Sequence, residues 1–335
     1  MENPCKKNKV SPDFFIMRTK FVVLTLWMML QAIILHTGLY AQDEVVHKVK
    51  VSRGISYSQV RYPGQDKMQR LCFDLYAPET PSDSARPLVI TVFGGGFVAG
   101  TRDYEDMVEW CNRLAETGYA VASIDYRLMK AKKFSAKNLV RTGYMAAQDV
   151  SAAVRFFKAH SKKYNIDTNR IFLLGQSAGA VAILHALYMS EDERPEETFE
   201  EPALSPLHST GTAEAQKQHF SVAGAVLLWG CIFRPDMIDA DETTPVCLIH
   251  GGKDKILPVD SGYAFSIPGF PYAYGSQVIA DRLKDLGTSS FEFHLLEQES
   301  HAFYFKYLCM FQLDALKFDN CFQIATDFMH RHGGL

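Results

Sequence analysis

The stretch IFLLGQSAGAVAILHALY, residues 171 to 188, decides the fold. Its apolar start, Ile171 to Leu174, predicts a buried strand, and the run after the turn predicts a helix. Two glycines, Gly175 and Gly179, flank Ser177 in this turn. Glycine permits a close approach of strand and helix, and the turn forces the serine into a strained backbone conformation. The order strand, turn and helix therefore predicts that the Ser177 hydroxyl stands at the end of a buried strand.

The runs on either side of this stretch predict one large sheet. Continuous apolar runs are typical of parallel strands buried on both faces, and they occur at Leu88–Phe93, Ala120–Ile124, Val222–Trp229 and Val246–Ile249. Helical stretches alternate with them, most clearly at Ala146–His160, Ala178–Tyr188 and Gln277–Leu286. The alternating patterns that come first predict antiparallel strands at Val45–Val51, Ile55–Val60 and Leu71–Tyr76. We expect an α/β fold with a mainly parallel central sheet, antiparallel N-terminal strands and helices on both faces.

Two downstream residues fit a catalytic partnership with Ser177. A serine hydroxyl is a weak nucleophile, so it needs a base that is itself oriented by a carboxylate. Asp254 follows the strand-like run 246–249, and His301 follows the strand-like run 291–296. Side chains at the carboxyl ends of parallel strands converge, which favours this pair. The rival bases are His250 and His294, and the rival acids are Asp236 and Asp260.

A glycine loop, Gly94 to Gly96, directly follows the first long apolar run. We expect the backbone amides of Gly94 and Gly95, together with the amide of Ala178, to form an oxyanion hole. The same glycines, with Asp125 at the end of the next strand, also imitate a dinucleotide-binding fingerprint. That alternative leaves the serine turn and its two partners unexplained.

These residues together resemble the α/β-hydrolase superfamily, and within it the carboxylesterases similar to hormone-sensitive lipase and to bacterial sugar-ester and feruloyl esterases. The resemblance extends from about Leu71 to His330 and includes VASIDYRL at 121–128 and YNIDTNRIFLLGQSAG at 164–179. It implies that Ser177 is the nucleophile, His301 the general base and Asp254 its orienting acid. It implies that the oxyanion donors are Gly94, Gly95 and Ala178, and that residues 125–127 brace the glycine loop.

The chain departs from the family pattern at two positions. Phe93 stands where these families usually carry a histidine, and Ala180 replaces a frequent third glycine. The first departure predicts altered support of the oxyanion loop. The resemblance implies a serine esterase that forms an acyl-enzyme without metal or organic cofactor, and the N-terminal pattern described below predicts its export. Its substrate is expected to be a small-molecule or carbohydrate ester, with acetylated or feruloylated carbohydrate as a hypothesis. The alternatives are a peptidase or lactonase using the same triad, and a non-catalytic binding protein.

The first 41 residues have the pattern of a signal peptide. The apolar run Phe21–Leu35 follows two basic residues and is 15 residues long, shorter than the roughly 20 that a membrane helix needs. We expect cleavage after Ala41, a catalytic domain over residues 42–335, and a secreted or periplasmic protein without a stable membrane anchor. An uncleaved anchor and a translation start at Met17 are alternatives. The net charge of -3 argues against nucleic acid as a partner.

Two long segments and the cysteines complete the sequence predictions. Residues 191–220 are rich in acids and form either a solvated surface excursion or a lid. Residues 261–275 carry five aromatic residues, which either pack on the core or wall an acyl or aryl pocket. Cys72 and Cys247 are predicted to be buried thiols, and Cys309 and Cys321 to be a pair that an oxidising compartment permits to form a disulfide. Nothing in the sequence specifies an oligomeric state.

Overall fold

A computed structural model describes residues 46–288, 290–306 and 312–335. The predicted signal peptide and Cys309 lie outside these residues, so the leader and the disulfide stay predictions. The strands are β1 (Val49–Arg61), β2 (Met68–Pro78), β3 (Arg86–Val92), β4 (Ala120–Ile124), β5 (Ile166–Gln176), β6 (Gly224–Leu228), β7 (Cys231–Ile232), β8 (Val246–Gly251), β9 (Ser261–Tyr263), β10 (Tyr272–Gly275) and β11 (Phe291–Leu296). The helices are α1 (Glu105–Glu116), α2 (Ala136–Ala159), α3 (Ser161–Tyr164), α4 (Ala178–Tyr188), α5 (Ser276–Asp285) and α6 (Ala315–Arg331).

Eight strands form the central sheet, in the order β1-β2-β4-β3-β5-β6-β8-β11. The pairs β1–β2 and β2–β4 are antiparallel. All the remaining neighbours in this order, from β4–β3 to β8–β11, are parallel pairs. Every residue of β4, β6 and β8 is buried, as expected for strands covered on both faces by helices. The predicted α/β architecture with an antiparallel N-terminal start is confirmed.

The structure corrects several element boundaries. The two strands predicted at 45–51 and 55–60 are one strand, β1, whose pairing with β2 shifts register between Ser52 and Ile55. The extra residues form a bulge at Gly54, where φ is +66°. Helix α2 begins at residue 136, ten residues before the predicted start, and the Ser135 side chain accepts a hydrogen bond from the Asn138 amide to cap it.

The sequence did not predict regular secondary structure in the aromatic segment 261–275, but the structure contains it. The segment contributes strands β9 and β10, which pair with β7 in a three-stranded antiparallel sheet. Strands this short carry too little periodic pattern to be recognised from sequence.

Among the helices of the described residues, none is both long enough and apolar enough to span a membrane.

The segment 191–220 is tied to one face of α2. The side chains of Arg141, Gln148 and Arg155, seven residues apart and thus on one helix face, donate hydrogen bonds to the carbonyl oxygens of Pro202, Ser205 and Thr210 at 2.6, 2.7 and 2.8 Å. The segment is therefore anchored along its length to a core helix. A movement of this segment as a lid stays a prediction.

Candidate active site

Ser177, His301 and Asp254 form a continuous hydrogen-bonded chain. The Ser177 Oγ lies 2.9 Å from His301 Nε2, and His301 Nδ1 lies 2.6 Å from Asp254 Oδ2. An ionised carboxylate only accepts hydrogen bonds, so Nδ1 carries the proton and Nε2 is left to accept from the serine hydroxyl. The three residues, which are 77 and 47 positions apart in sequence, are thus brought together in the geometry of a nucleophile, a base and an orienting acid.

The turn between β5 and α4 presents the serine. Ser177 has φ 51° and ψ −121°, a conformation that L-residues rarely adopt. Its amide donates to the carbonyl oxygen of Leu228 on the neighbouring strand at 2.9 Å, which holds the turn against the sheet. A Cβ on Gly179 would lie 2.1 Å from the carbonyl oxygen of Val92, so only glycine fits where α4 crosses β3.

The loops that carry Asp254 and His301 are held against each other by backbone contacts. A Cβ on Gly251 would lie 2.6 Å from the carbonyl oxygen of Ser300, so glycine permits this approach. The amide of Lys253 donates to the carbonyl oxygen of Glu299 at 2.8 Å. Because this hydrogen bond and this close approach lie beside Asp254 and His301, they hold the two loops together and limit the separation of the carboxylate and the imidazole.

The Asp254 carboxylate is fully hydrogen-bonded. Its Oδ1 accepts from the amides of Ile256 and Leu257 at 2.8 and 2.9 Å, while Oδ2 accepts from His301 and lies 3.2 Å from His250 Nε2. Burial alone would raise the pKa of this carboxyl, but the hydrogen bonds from His250 and His301 outweigh it and lower the pKa to about 2. The carboxylate is therefore ionised throughout the neutral range.

The rival residues have other partners. His250 is fully buried and does not reach Ser177; its Nδ1 lies 2.8 Å from Ser276 Oγ and its Nε2 lies 2.9 Å from the carbonyl oxygen of Leu257. Its Nε2 also lies 3.2 Å from Asp254 Oδ2, the oxygen that accepts from His301. His294 bonds to Glu292 on its own strand. Asp236 pairs with Arg234, and Asp260 accepts a bond from the amide of Gly275 through its backbone carbonyl.

The glycine loop lies directly beside the serine. A Cβ on Gly94 would be 3.2 Å from the Cβ of Ser177, and Gly96 lines the same cavity as Ser177 and Ala178. Gly95 has φ +123°. Ala178 is the first residue of α4, where a backbone amide has no acceptor within the helix. The structure thus places Gly94 and Ala178 next to Ser177 and Gly95 in the same loop, and the role of these three residues in binding an oxyanion is a proposal.

Phe93, the departure from the family pattern, supports this loop by packing. Its ring is buried and stacks on Tyr126 with centroids 4.4 Å apart. The hydroxyl of Tyr126 donates to the carbonyl oxygen of Phe93 at 2.9 Å. The expected bracing of the loop by residues 125–127 is thus visible in the structure, and an aromatic stack occupies the place of the histidine.

Sequence reasoning missed Arg102, which closes the glycine loop onto the sheet. Its guanidinium donates to Asp74 at 2.9 Å and to both oxygens of Asp125 at 2.8 Å. Burial alone would raise the pKa of Asp74, but hydrogen bonds from the Gly54 amide and Arg102 outweigh it and lower the pKa. No local pattern could have revealed this pairing, because its members lie on three separate elements.

A second missed cluster lies beneath the nucleophile. The Gln176 side chain is buried; its amide donates to Asp106, and its Oε1 accepts from the Tyr304 hydroxyl at 2.5 Å. Burial raises the pKa of Asp106. The indole of Trp110 donates to the same tyrosine hydroxyl at 3.3 Å. A polar residue between strand and serine was the available signal, since a buried glutamine needs partners.

One cavity adjoins the serine, and a larger recess shares one lining residue with that cavity. The first has a volume of about 20 Å³ and is lined by apolar residues around Ser177, among them Phe97, Leu139, Val181 and Phe265. The second is a recess of about 500 Å³ lined by Phe270, Tyr272 and Tyr274 of the aromatic segment and by Arg194 and Arg234. Phe233 lines both the small cavity and the recess. The aromatic segment walls the cavity at the serine through Phe265.

Within the described residues, one group of side chains has the proximity of metal ligands. The ligand atoms of Cys247, Glu292 and His294 all lie within 4.8 Å of one another. Glu292, however, is already engaged by Arg331 at 2.8 Å. Burial raises the pKa of the Cys247 thiol, whereas a metal needs the thiolate. The donor set therefore does not fit a metal ion. Cys72 and Cys247 are buried thiols, as predicted.

Comparisons with known proteins show that the chain is similar to esterases. Residues 73–232 match the BD-FAE family model. The isoprenylcysteine alpha-carbonyl methylesterase ICME of Arabidopsis thaliana is 24% identical over 282 residues, which cover 74% of this chain and 58% of that relative. The acetyl esterase of Salmonella schwarzengrund is 29% identical over 119 residues, which cover 35% of this chain and 32% of the relative. The chain spans little more than half, or less, of the length of these curated relatives.

Solved structures share the arrangement of the sheet and helices. The apo form of Thermogutta terrifontis esterase 2 aligns with a TM-score of 0.56 at 18% identity, covering 88% of this chain and 98% of that chain. The butyrate-bound form of the same esterase gives a TM-score of 0.57 at 18% identity, covering 84% and 95%. At this identity the likeness shows that the fold is shared.

Proposed function

We propose that this chain, which has the fold of known esterases and is similar to them in sequence, is a serine carboxylic ester hydrolase of the α/β-hydrolase superfamily. The observation that carries the proposal is the hydrogen-bonded chain from Ser177 through His301 to Asp254. The names of its relatives, which include a methylesterase and an acetyl esterase, support the same class of reaction.

The proposed reaction proceeds through an acyl-enzyme. Ser177 Oγ attacks the ester carbonyl carbon while His301 Nε2 takes the hydroxyl proton, and the imidazolium that forms is stabilised by the Asp254 carboxylate. The amides of Gly94, Gly95 and Ala178 stabilise the oxyanion. His301 then returns the proton to the leaving alcohol oxygen. Water, deprotonated by the same nitrogen, releases the acid and regenerates the serine.

The small cavity favours a short acyl group. A volume of about 20 Å³ has room for about one water-sized group, similar to a methyl. Phe97, Leu139 and Phe265 are among the side chains that line it. A feruloyl ring is far larger than this space, so we propose acetyl esters as the substrates rather than feruloyl esters.

The wider recess suits the alcohol side of the ester. Its exposed aromatic faces, such as that of Tyr272, supply apolar surface, and the half-exposed Arg234, which is paired with Asp236, supplies polar groups beside them. Carbohydrates present both apolar ring faces and hydroxyl groups, so this recess supports an acetylated carbohydrate as substrate.

We also propose that the protein is exported, because residues 1–41 have the pattern of a signal peptide. N-terminal sequencing of the mature protein, expected to begin at Gln42, would test this.

The test is hydrolysis of p-nitrophenyl acetate, butyrate and octanoate by the wild type and by Ser177→Ala. We expect kcat/KM to be highest for acetate and the variant to lose about 10⁴-fold or more. A preference for octanoate would contradict the acetyl assignment, and equal rates for the two proteins would contradict the role of Ser177. Release of acetate from acetylated xylan, set against release of ferulate from feruloylated arabinoxylan, decides between the two carbohydrate esters.

A further inference from the structure

A further cleft, separate from the small cavity at the serine and from the aromatic recess, carries concentrated positive charge. It has a volume of about 660 Å³ and is lined by six cationic side chains and one acidic side chain. The cationic residues are Lys67, Arg70, Lys130, Lys133, Lys137 and Arg141. The chain as a whole has a net charge of -3, so this concentration does not follow from composition.

Within the described residues, five of these six cations lack a carboxylate partner, and one of the five bonds to backbone carbonyl groups instead. Lys137 pairs with Glu200, and Arg141 donates to backbone carbonyl oxygens of the segment 197–202. Across residues 46–288, 290–306 and 312–335, no ion pair involves the remaining four, which are Lys67, Arg70, Lys130 and Lys133. Unpaired like charges that face one another across a cleft repel, and a bound anion relieves that repulsion.

The walls of the cleft are fixed by hydrogen bonds. The Tyr62 hydroxyl donates to the carbonyl oxygen of Leu128 at 2.7 Å and accepts from its amide at 2.9 Å, which joins the end of β1 to the loop after β4. Asn138 of α2 donates to the carbonyl oxygen of Lys133 at 2.8 Å. Arg141 holds the third wall, as described above. Little ordering is therefore needed when a ligand enters.

The first turns of α2 connect this cleft to the active site. Asn138 lines the cleft, Leu139 lines the small cavity at Ser177, and Val140 lines the aromatic recess. The amide of Met129, in the cleft, donates to the carbonyl oxygen of Phe97 in the small cavity at 2.8 Å. A chain-like ligand that passes around the start of α2 would contact both regions.

We propose that the cleft binds the carboxylate-bearing part of an acidic polysaccharide, so that the ester substrate is a uronate-containing chain; this rests on the proposed function. Amide and hydroxyl side chains at Gln65, Gln69, Asn138 and Thr142 lie among the cations and suit sugar hydroxyls. Single-stranded nucleic acid is disfavoured, because it needs several aromatic faces for stacking and the cleft has one, Tyr62.

The experiment measures binding by calorimetry, independently of catalysis. The probes are an oligogalacturonate, a neutral xylo-oligosaccharide of the same length, and a DNA oligonucleotide of matched charge. The proteins are the wild type, Lys130→Ala/Lys133→Ala in the cleft, and Lys50→Ala/Lys162→Ala as a control with the same change of charge at exposed positions outside it. p-Nitrophenyl acetate hydrolysis is recorded for all three.

We expect the wild type to bind oligogalacturonate at least about tenfold more tightly than the neutral oligosaccharide at low salt, and more weakly as salt rises. The cleft variant should bind about three- to tenfold more weakly, and the control should bind like the wild type. Equal binding of acidic and neutral probes, an unaffected cleft variant, or tighter binding of DNA would overturn the proposal. If the wild type does not hydrolyse p-nitrophenyl acetate, the proposed function is overturned, and the binding result is unaffected.

Discussion

Replacement of Asp254 by asparagine should abolish most of the activity without removing the nucleophile or the base. The asparagine Oδ1 can still accept from the amides of Ile256 and Leu257. Its Nδ2 would then replace Oδ2 and present donor hydrogens to His301 Nδ1. In the wild type this nitrogen is itself the donor to Asp254. The imidazole can satisfy this contact only by moving its proton to Nε2, where it can no longer accept the Ser177 proton.

The expected loss in kcat/KM is about 10⁴-fold, the size found when an acid of this kind is replaced by its amide. The assay is steady-state hydrolysis of p-nitrophenyl acetate. The matched control is Asp236→Asn, which changes an exposed aspartate paired with Arg234 and should retain wild-type activity. If Asp254→Asn keeps more than about a tenth of the wild-type kcat/KM, the reasoning about the His301 tautomer is wrong.

The same variant should change the dependence of stability on pH. Lowering of the Asp254 pKa from 3.8 to about 2 corresponds to roughly 2 kcal/mol of folded-state stabilisation at neutral pH. Because the folded pKa is depressed, this stabilisation is fully present above about pH 4 and is lost as the pH falls toward 2. The difference in unfolding free energy between wild type and variant, from urea titrations, should therefore shrink over this range. A constant difference would contradict the assigned ionisation.

Three further substitutions test the surroundings of the site. Tyr304→Phe removes the donor to the buried Gln176 Oε1 and should lower the unfolding free energy in urea by about 1–3 kcal/mol; an unchanged value would contradict the network. Gly179→Ala places a Cβ 2.1 Å from the carbonyl oxygen of Val92, so we expect a loss of about 3 kcal/mol or more, and an unchanged Tm would refute the close approach. Arg102→Met leaves Asp125 without a cationic partner and Asp74 with Arg53 alone, and it should cost up to about 3 kcal/mol at pH 7. That cost should shrink as the pH falls and these carboxylates gain protons, and a pH-independent cost would contradict the ion pairs.

Features that depend on local pattern were predictable from the sequence. The turn at Ser177 is defined by a strand, two glycines and a helix within a short stretch, and β4, α4 and β11 have their predicted bounds. Asp254 and His301 could be found because each directly follows an apolar strand. Parallel strands of one sheet end at the same edge, so these positions converge.

Features that depend on distant contacts were not predictable. His250 bonds to Ser276 and approaches Asp254, and Tyr304 meets Gln176 across 128 positions. Periodicity describes which face of an element is buried but does not identify the element that covers it. Helix α1 and helix α6 were missed for a related reason, because their apolar faces mix with many charged residues.

The central claim is that Ser177 is the activated nucleophile, and labelling with paraoxon tests it most directly. Thermogutta terrifontis esterase 2, which shares the fold, has been described as phosphorylated by this compound. The measurement is peptide mapping by mass spectrometry of the full chain after reaction with paraoxon. We predict one diethylphosphoryl adduct, on Ser177, formed in the wild type and far more slowly in His301→Gln. An unmodified Ser177, or an adduct on another residue formed equally in both proteins, would contradict the account.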